Sequence, residues 1–120
     1  MDEGLVDPQE LTQFGPNGIF DLEAYADWPG PRRLRGLAEF LEFRARWMEP
    51  YDDWDYEVEK IVDAGEDRVV ATLHQRGKPR GSNSWVHMDY GIVYTLADGM
   101  IERAQMYPTP AEALEAAGLD

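Results

Sequence analysis

Asp98-Gly99, set between two alternating runs, limits what this chain can fold into more than any other pair of residues. Before it, Trp85 to Leu96 alternates in period two; after it, Met100 to Tyr107 does the same. Alternation of that kind marks a half-buried strand, and glycine supplies the positive φ that a two-residue hairpin turn requires. The pair therefore predicts an antiparallel hairpin. A third strand-like run, Val69 to His74, precedes it across a break rich in Gly, Pro and Ser from Gly77 to Ser84. Together the three runs predict an antiparallel sheet as the core.

The other segments arrange themselves around that sheet. Residues 1–17 read as an N-terminal arm without sustained periodicity, and Gly18 to Leu22 as a short strand. A loop follows, Tyr25 to Pro31, in which Trp28 is expected to cover the core. Leu37, Leu41, Ala45 and Met48 recur at helical spacing, widened by Phe40 and Trp47, so residues 37–48 predict an amphipathic helix with Gly36 as N-cap and Pro50 as stop. Trp54 to Glu59 alternates again, and Lys60-Ile61-Val62 breaks its phase, which predicts a bulge or the strand's end there. Ala64-Gly65-Glu66-Asp67 reads as a turn. Near the end, Thr109, Pro110 and Glu112 have the spacing of a capping box, with Gly118 suited to the position just past a helix.

A length of 120 residues predicts one domain, and a hydrophobic fraction of 43% is enough to fill its core. The net charge of −13 repels phosphate backbones, so nucleic acid is not an expected partner. No run approaches the roughly 18 apolar residues of a membrane span, and the start Met1-Asp2-Glu3-Gly4 lacks the basic residues of a signal peptide. The absence of cysteine removes disulfides and thiolate chemistry, and a cytoplasmic location is the expectation.

The order of elements, with "DAGEDRVV", "TLADGMIER" and the tail "TPAEALEAAGL", resembles the SnoaL-like polyketide cyclase branch of the superfamily that includes nuclear transport factor 2 and ketosteroid isomerase. The resemblance runs from about Gly18 to Leu119. It implies an α+β fold, a strongly curved antiparallel sheet forming a cone with packed helices around an apolar pocket. Members typically begin with helices that close the mouth of the cone, and here 17 residues precede the first expected strand. Either the pocket is open, or the arm or a second subunit covers it, and a homodimer or higher oligomer is the expectation.

Alternation places Val86, Met88, Tyr90, Ile92, Tyr94 and Leu96 on one face of their strand, and His87 and Asp89 on the other. The first set is the more apolar and is expected to line the pocket. Asp21 of "GIFDL" resembles the position of the isomerase's base; beside Phe20, Trp28 and Trp47 it would be partly desolvated and strengthened as a base, or it caps a turn. Two further acid positions of the superfamily fall on Ile92 and Met106, which cannot transfer a proton. The catalytic candidates are therefore Asp21, His74 and Tyr90. Trp28, Phe40, Trp47, Thr72, Met88, Ile92, Tyr94 and Met106 are the candidates for contact with a ligand, and Glu102 joins them if the last strand turns it inward. Neither the acidic run from Glu49 to Glu59 nor His74, His87 and Asp89 has a spacing that enforces a metal, so no metal and no cofactor are expected. The implied ligand is a small hydrophobic molecule, a ring bearing a carbonyl among them. The implied activity is isomerisation, cyclisation or hydrolysis by proton transfer, with non-catalytic binding or an interaction module as the alternatives.

Overall fold

Positive φ at Asp98 (55°) and Gly99 (78°) closes the expected hairpin, joining β5 (Val86–Ala97) to β6 (Met100–Tyr107). The structure, a computed structural model, describes residues 14–22, 24–25 and 32–119. Two further strands, β3 (Tyr51–Gly65) and β4 (Arg68–Pro79), form a second hairpin whose turn residues Glu66 and Asp67 also hold positive φ. Before them come β1 (Phe14–Asp21), β2 (Arg33–Arg35) and helix α1 (Gly36–Met48); helix α2 (Pro110–Ala116) follows. The sheet order is β2-β1-β6-β5-β4-β3. Among the described residues all neighbours run antiparallel except β1 and β6, which pair in parallel.

The two faces of this sheet have different covers. Ala71 and Leu73 of β4, Tyr90, Ile92 and Tyr94 of β5, and Ala104 and Met106 of β6 form one buried cluster with Phe40 and Phe43 of α1. This is the inner face. Val70 and Val93 point the other way and pack beneath Ala113 and Ala117 of α2. On that outer face Gly91 lets the helix sit directly on β5, since a Cβ at Gly91 would stand 2.5 Å from the Cβ of Ala113.

Several elements depart from the expected boundaries. Strand β1 starts at Phe14 rather than Gly18, and β2 occupies a stretch read only as following the loop. Its Leu34 stands opposite Phe20 and is buried with it. Strand β4 runs through Gly77, because the ring of Tyr51 from β3 fills the space above that glycine. The phase break in β3 is a bulge, with the register shifting between Val58 and Lys60.

Helix α1 buries a different stripe from the aliphatic one. Phe40, Phe43 and Trp47 face the sheet, while Leu41 is 41% exposed and Ala45 is exposed. Three aromatic rings bury more apolar area than Leu, Ala and Met at the same pitch, so they set the helix's rotation. Phe20 anchors them, its ring centroid 5.0 Å from Phe40 and 5.1 Å from Phe43. The N-cap is Arg35 rather than Gly36, and its N–H donates to Glu39 Oε1 at 2.8 Å. At α2 the expected caps are present: Thr109 Oγ1 accepts from the Glu112 N–H at 3.1 Å, and Gly118 has a φ of 82°.

Candidate functional site

The polar groups of the inner face gather around Trp47. Its indole Nε1–H donates to Gln75 Oε1 at 2.8 Å, and Gln75 is 2% exposed. Leu73 and Gln75 share a face of β4 because they are two residues apart, and Tyr90 and Tyr56 stand opposite them on the neighbouring strands. The Tyr90 ring meets Trp47 edge-on at 5.9 Å, and Tyr25 meets it from another side at 6.0 Å. Tyr25 also donates its hydroxyl to the Tyr107 carbonyl at 3.2 Å. Tyr25, Tyr56 and Tyr90, with the Gln75 amide and the Trp47 indole, thus share one largely apolar wall.

Burial determines the protonation of Tyr90 and Tyr25. The Tyr90 hydroxyl is pushed well above the ordinary tyrosine range by loss of solvent, and then by the neighbouring Tyr25 and Tyr56. Tyr25 is pushed the same way by burial and then by Glu112. Both remain neutral hydrogen-bond donors at physiological pH. Among the described residues the Tyr90 hydroxyl has no hydrogen-bond partner, although the residue is only 4% exposed.

Most of the expected ligand-contacting residues lie on this face. Phe40, Ile92, Tyr94 and Met106 are buried in the inner cluster, with Ile92 directly opposite Met106, and Trp47 packs against it. Met88 stands opposite Gln75 and is 36% exposed. Trp28 lies outside the described residues.

Thr72 and His74 do not lie on this face. Leu73, between them, takes the inner side, so both side chains project from the outer face, where Thr72 is opposite Gly91 and His74 opposite Asp89. His74 Nδ1 is 2.6 Å from Asp89 Oδ1, and its Nε2 is 3.0 Å from His87 Nδ1. The hydrogen bond to Asp89 raises the imidazole's pKa above its ordinary value, with the charges of Asp89, Glu59 and Glu57 adding to it.

Asp21 is on the right strand and the wrong face for the expected base. Phe20 belongs to the inner cluster, so the next residue is turned away from it. Asp21 is 4% exposed; its Oδ2 accepts from Arg103 Nη2 at 2.7 Å and lies 3.7 Å from Arg33 Nη2. Glu102 is exposed, because a register shift in the β5–β6 ladder gives the inner face to Ile101 instead.

Gln75, Tyr25 and Tyr56 belong to the site and were not among the expected residues. Carrying the alternation of β4 past His74 would have identified Gln75, but Gly77 read as the end of that strand.

The SnoaL-like domain model matches residues 13–104, most of the chain. The chain belongs to the SnoaL-like domain family. No curated protein matches it by sequence. Among solved structures, this SnoaL-like domain is similar to a protein with a ketosteroid isomerase-like fold from Catenulispora acidiphila, in complex with trimethylamine. The two share 17% identity at a TM-score of 0.67, over 92% of this chain and 80% of that one. It is also similar to TerC co-crystallised with polyporic acid, at 18% identity and a TM-score of 0.68, covering 90% and 82% of the two chains. A phenazine biosynthesis-related protein from Pseudomonas aeruginosa matches at 17% identity and a TM-score of 0.59, over 93% of this chain and 75% of that one. At these identities the likeness is one of fold. No helix among the described residues is long and apolar enough to cross a membrane.

Proposed function

We propose that this SnoaL-like domain binds a small, largely apolar molecule against the inner face of its sheet, with the Tyr90 hydroxyl donating a hydrogen bond to an oxygen of that molecule. The observation that carries the reading is a buried, neutral phenol with no partner among the described residues, held against the Trp47 ring. Among the described residues the sealed side-chain atoms without a partner are Arg44 Nε, Trp54 Nε1 and Arg103 Nε, so the Tyr90 hydroxyl is open to an acceptor on a ligand. Phe40, Met88, Ile92, Tyr94 and Met106 supply apolar contact around it. Two proteins of the same fold, crystallised with trimethylamine and with polyporic acid, support a small-molecule ligand.

Binding is favoured over proton transfer by the chemistry of the wall. Among the described residues it holds phenols, an amide and an indole, with Asp21 and His74 both turned to the outer face. The reading is tested with two probes of matched shape, 2-acetylnaphthalene and 2-ethylnaphthalene, followed by tryptophan fluorescence. The ketone should bind about threefold to tenfold more tightly, and Tyr90→Phe should erase that preference. Equal binding of the two probes to the unmodified chain would remove Tyr90 as the donor. Trp47→Phe identifies which indole reports the binding.

A further inference from the structure

Glu59, His74 and Asp89 come from three adjacent strands, β3, β4 and β5, and one donor atom of each lies within 4.8 Å of the others. His74 and Asp89 are partners in the β4–β5 ladder, so their side chains leave the outer face side by side. Glu59 arrives by a different route. It is the residue that the bulge between Val58 and Lys60 adds to β3, and a bulge re-aims the side chain it carries.

We propose that these three residues form a binding site for a divalent transition-metal ion, zinc being the ion that best suits the donor set. The ligands are the carboxylates of Glu59 and Asp89 and the Nδ1 of His74. Zinc holds nitrogen and oxygen ligands at about 2.0–2.2 Å, which separates neighbouring donors by roughly 3.3 Å in a tetrahedral site. Replacing the proton now shared by His74 Nδ1 and Asp89 Oδ1, 2.6 Å apart, widens that gap by less than an ångström. Asp89 is 55% exposed at its side chain and has room to make the shift.

The surroundings favour a cation at this point. Glu57 stands opposite His74 and adds a further negative charge. The guanidinium of Arg76, two residues along β4 from His74, is already bonded to Asp55 through both Nε and Nη2, and lies 4.4 Å above the Trp85 ring. Lys78 is paired with Asp53. An imidazole beside two carboxylates selects zinc over magnesium, which takes oxygen ligands.

His87 is a positioning residue in this assignment. Its Nδ1 accepts the Nε2–H of His74 at 3.0 Å, which fixes the tautomer that leaves the Nδ1 lone pair for the metal. A bound ion would tie β3, at one edge of the sheet, to β4 and β5.

Calorimetric titration of zinc chloride into the tag-free chain tests the site, with magnesium chloride as the control. One zinc per chain should bind, magnesium should give no saturable heat, and zinc should raise the thermal midpoint of the unmodified chain but not that of His74→Ala. His74→Ala, Asp89→Asn and Glu59→Gln should each weaken zinc binding at least about tenfold, and His87→Ala about 10- to 100-fold. His87→Asn keeps an acceptor and should stay within about threefold of the unmodified chain. Far-UV circular dichroism confirms that each surface variant is folded. The proposal falls if zinc fails to saturate below ~1 mM, or if His74→Ala binds as the unmodified chain does. If His87→Asn loses as much affinity as His74→Ala, His87 is a ligand itself and the assignment of three is overturned.

Discussion

Phe20 and Asp21 are consecutive residues of β1 that serve opposite faces of the sheet: Phe20 meets the Phe40 ring at 5.0 Å, and Asp21 receives a 2.7 Å hydrogen bond from Arg103. The carboxylate is almost fully buried, so its stability depends on the guanidinium beside it.

Arg103→Leu should therefore destabilise the fold by about 2–3 kcal/mol, leaving a buried charge with Arg33 at 3.7 Å as its remaining arginine. The estimate lies below the roughly 3–5 kcal/mol of a fully buried pair because the Arg103 side chain is 38% exposed. Adding Asp21→Asn to that variant should recover part of the loss. Denaturant midpoints of the three chains measure both effects, and a single variant as stable as the unmodified chain would remove the pair from the core's energetics.

Gly91→Ala tests the seat of α2. The new methyl group would meet Ala113 Cβ, lift the helix from β5, and cost about 1–3 kcal/mol. Strand propensity alone predicts the opposite sign, since glycine weakens a strand interior. Combining it with Ala113→Gly should restore part of the thermal midpoint. No restoration would mean that the strain lies elsewhere.

The chain's six tyrosines should not ionise as one population. Tyr25 and Tyr90 have pKa values raised by burial above the ordinary 10.0, so the folded state holds their protons more tightly than the unfolded state. Their contribution to stability is complete below about pH 10 and is lost as pH rises beyond it. An alkaline titration followed by phenolate absorbance should show exposed tyrosines ionising first, with a later step that coincides with loss of circular dichroism. A single transition near pH 10, with the fold intact, would contradict this.

What the sequence disclosed was local chemistry. Asp98-Gly99 and the Thr109, Glu112 and Gly118 caps need no distant partner, and they formed as expected. The bulge after Val58 was legible as a break in alternation. Faces were harder to read where both sides of a strand are covered. In β4, Val70 lies under α2 while Leu73 lies under α1, so apolar residues occupy both parities and no alternation marks the inner face. His74 was consequently assigned to the right strand and the wrong side. The length of β4 was hidden for a different reason: Gly77 and Pro79 are local breakers, and only the Tyr51 ring, arriving from β3, makes continuation favourable.

The parallel pairing of β1 with β6 sets an order of assembly. Phe20 finds its partner Ala104 only after most of the chain has been made. During synthesis β1 emerges first, with β2 as its early neighbour, and its other edge stays open until β6 has been released. An open edge is a template for any passing strand, so the interval before β6 emerges is when this chain is most exposed to pairing with another copy. A stalled or truncated product lacking its final hairpin would carry that edge permanently.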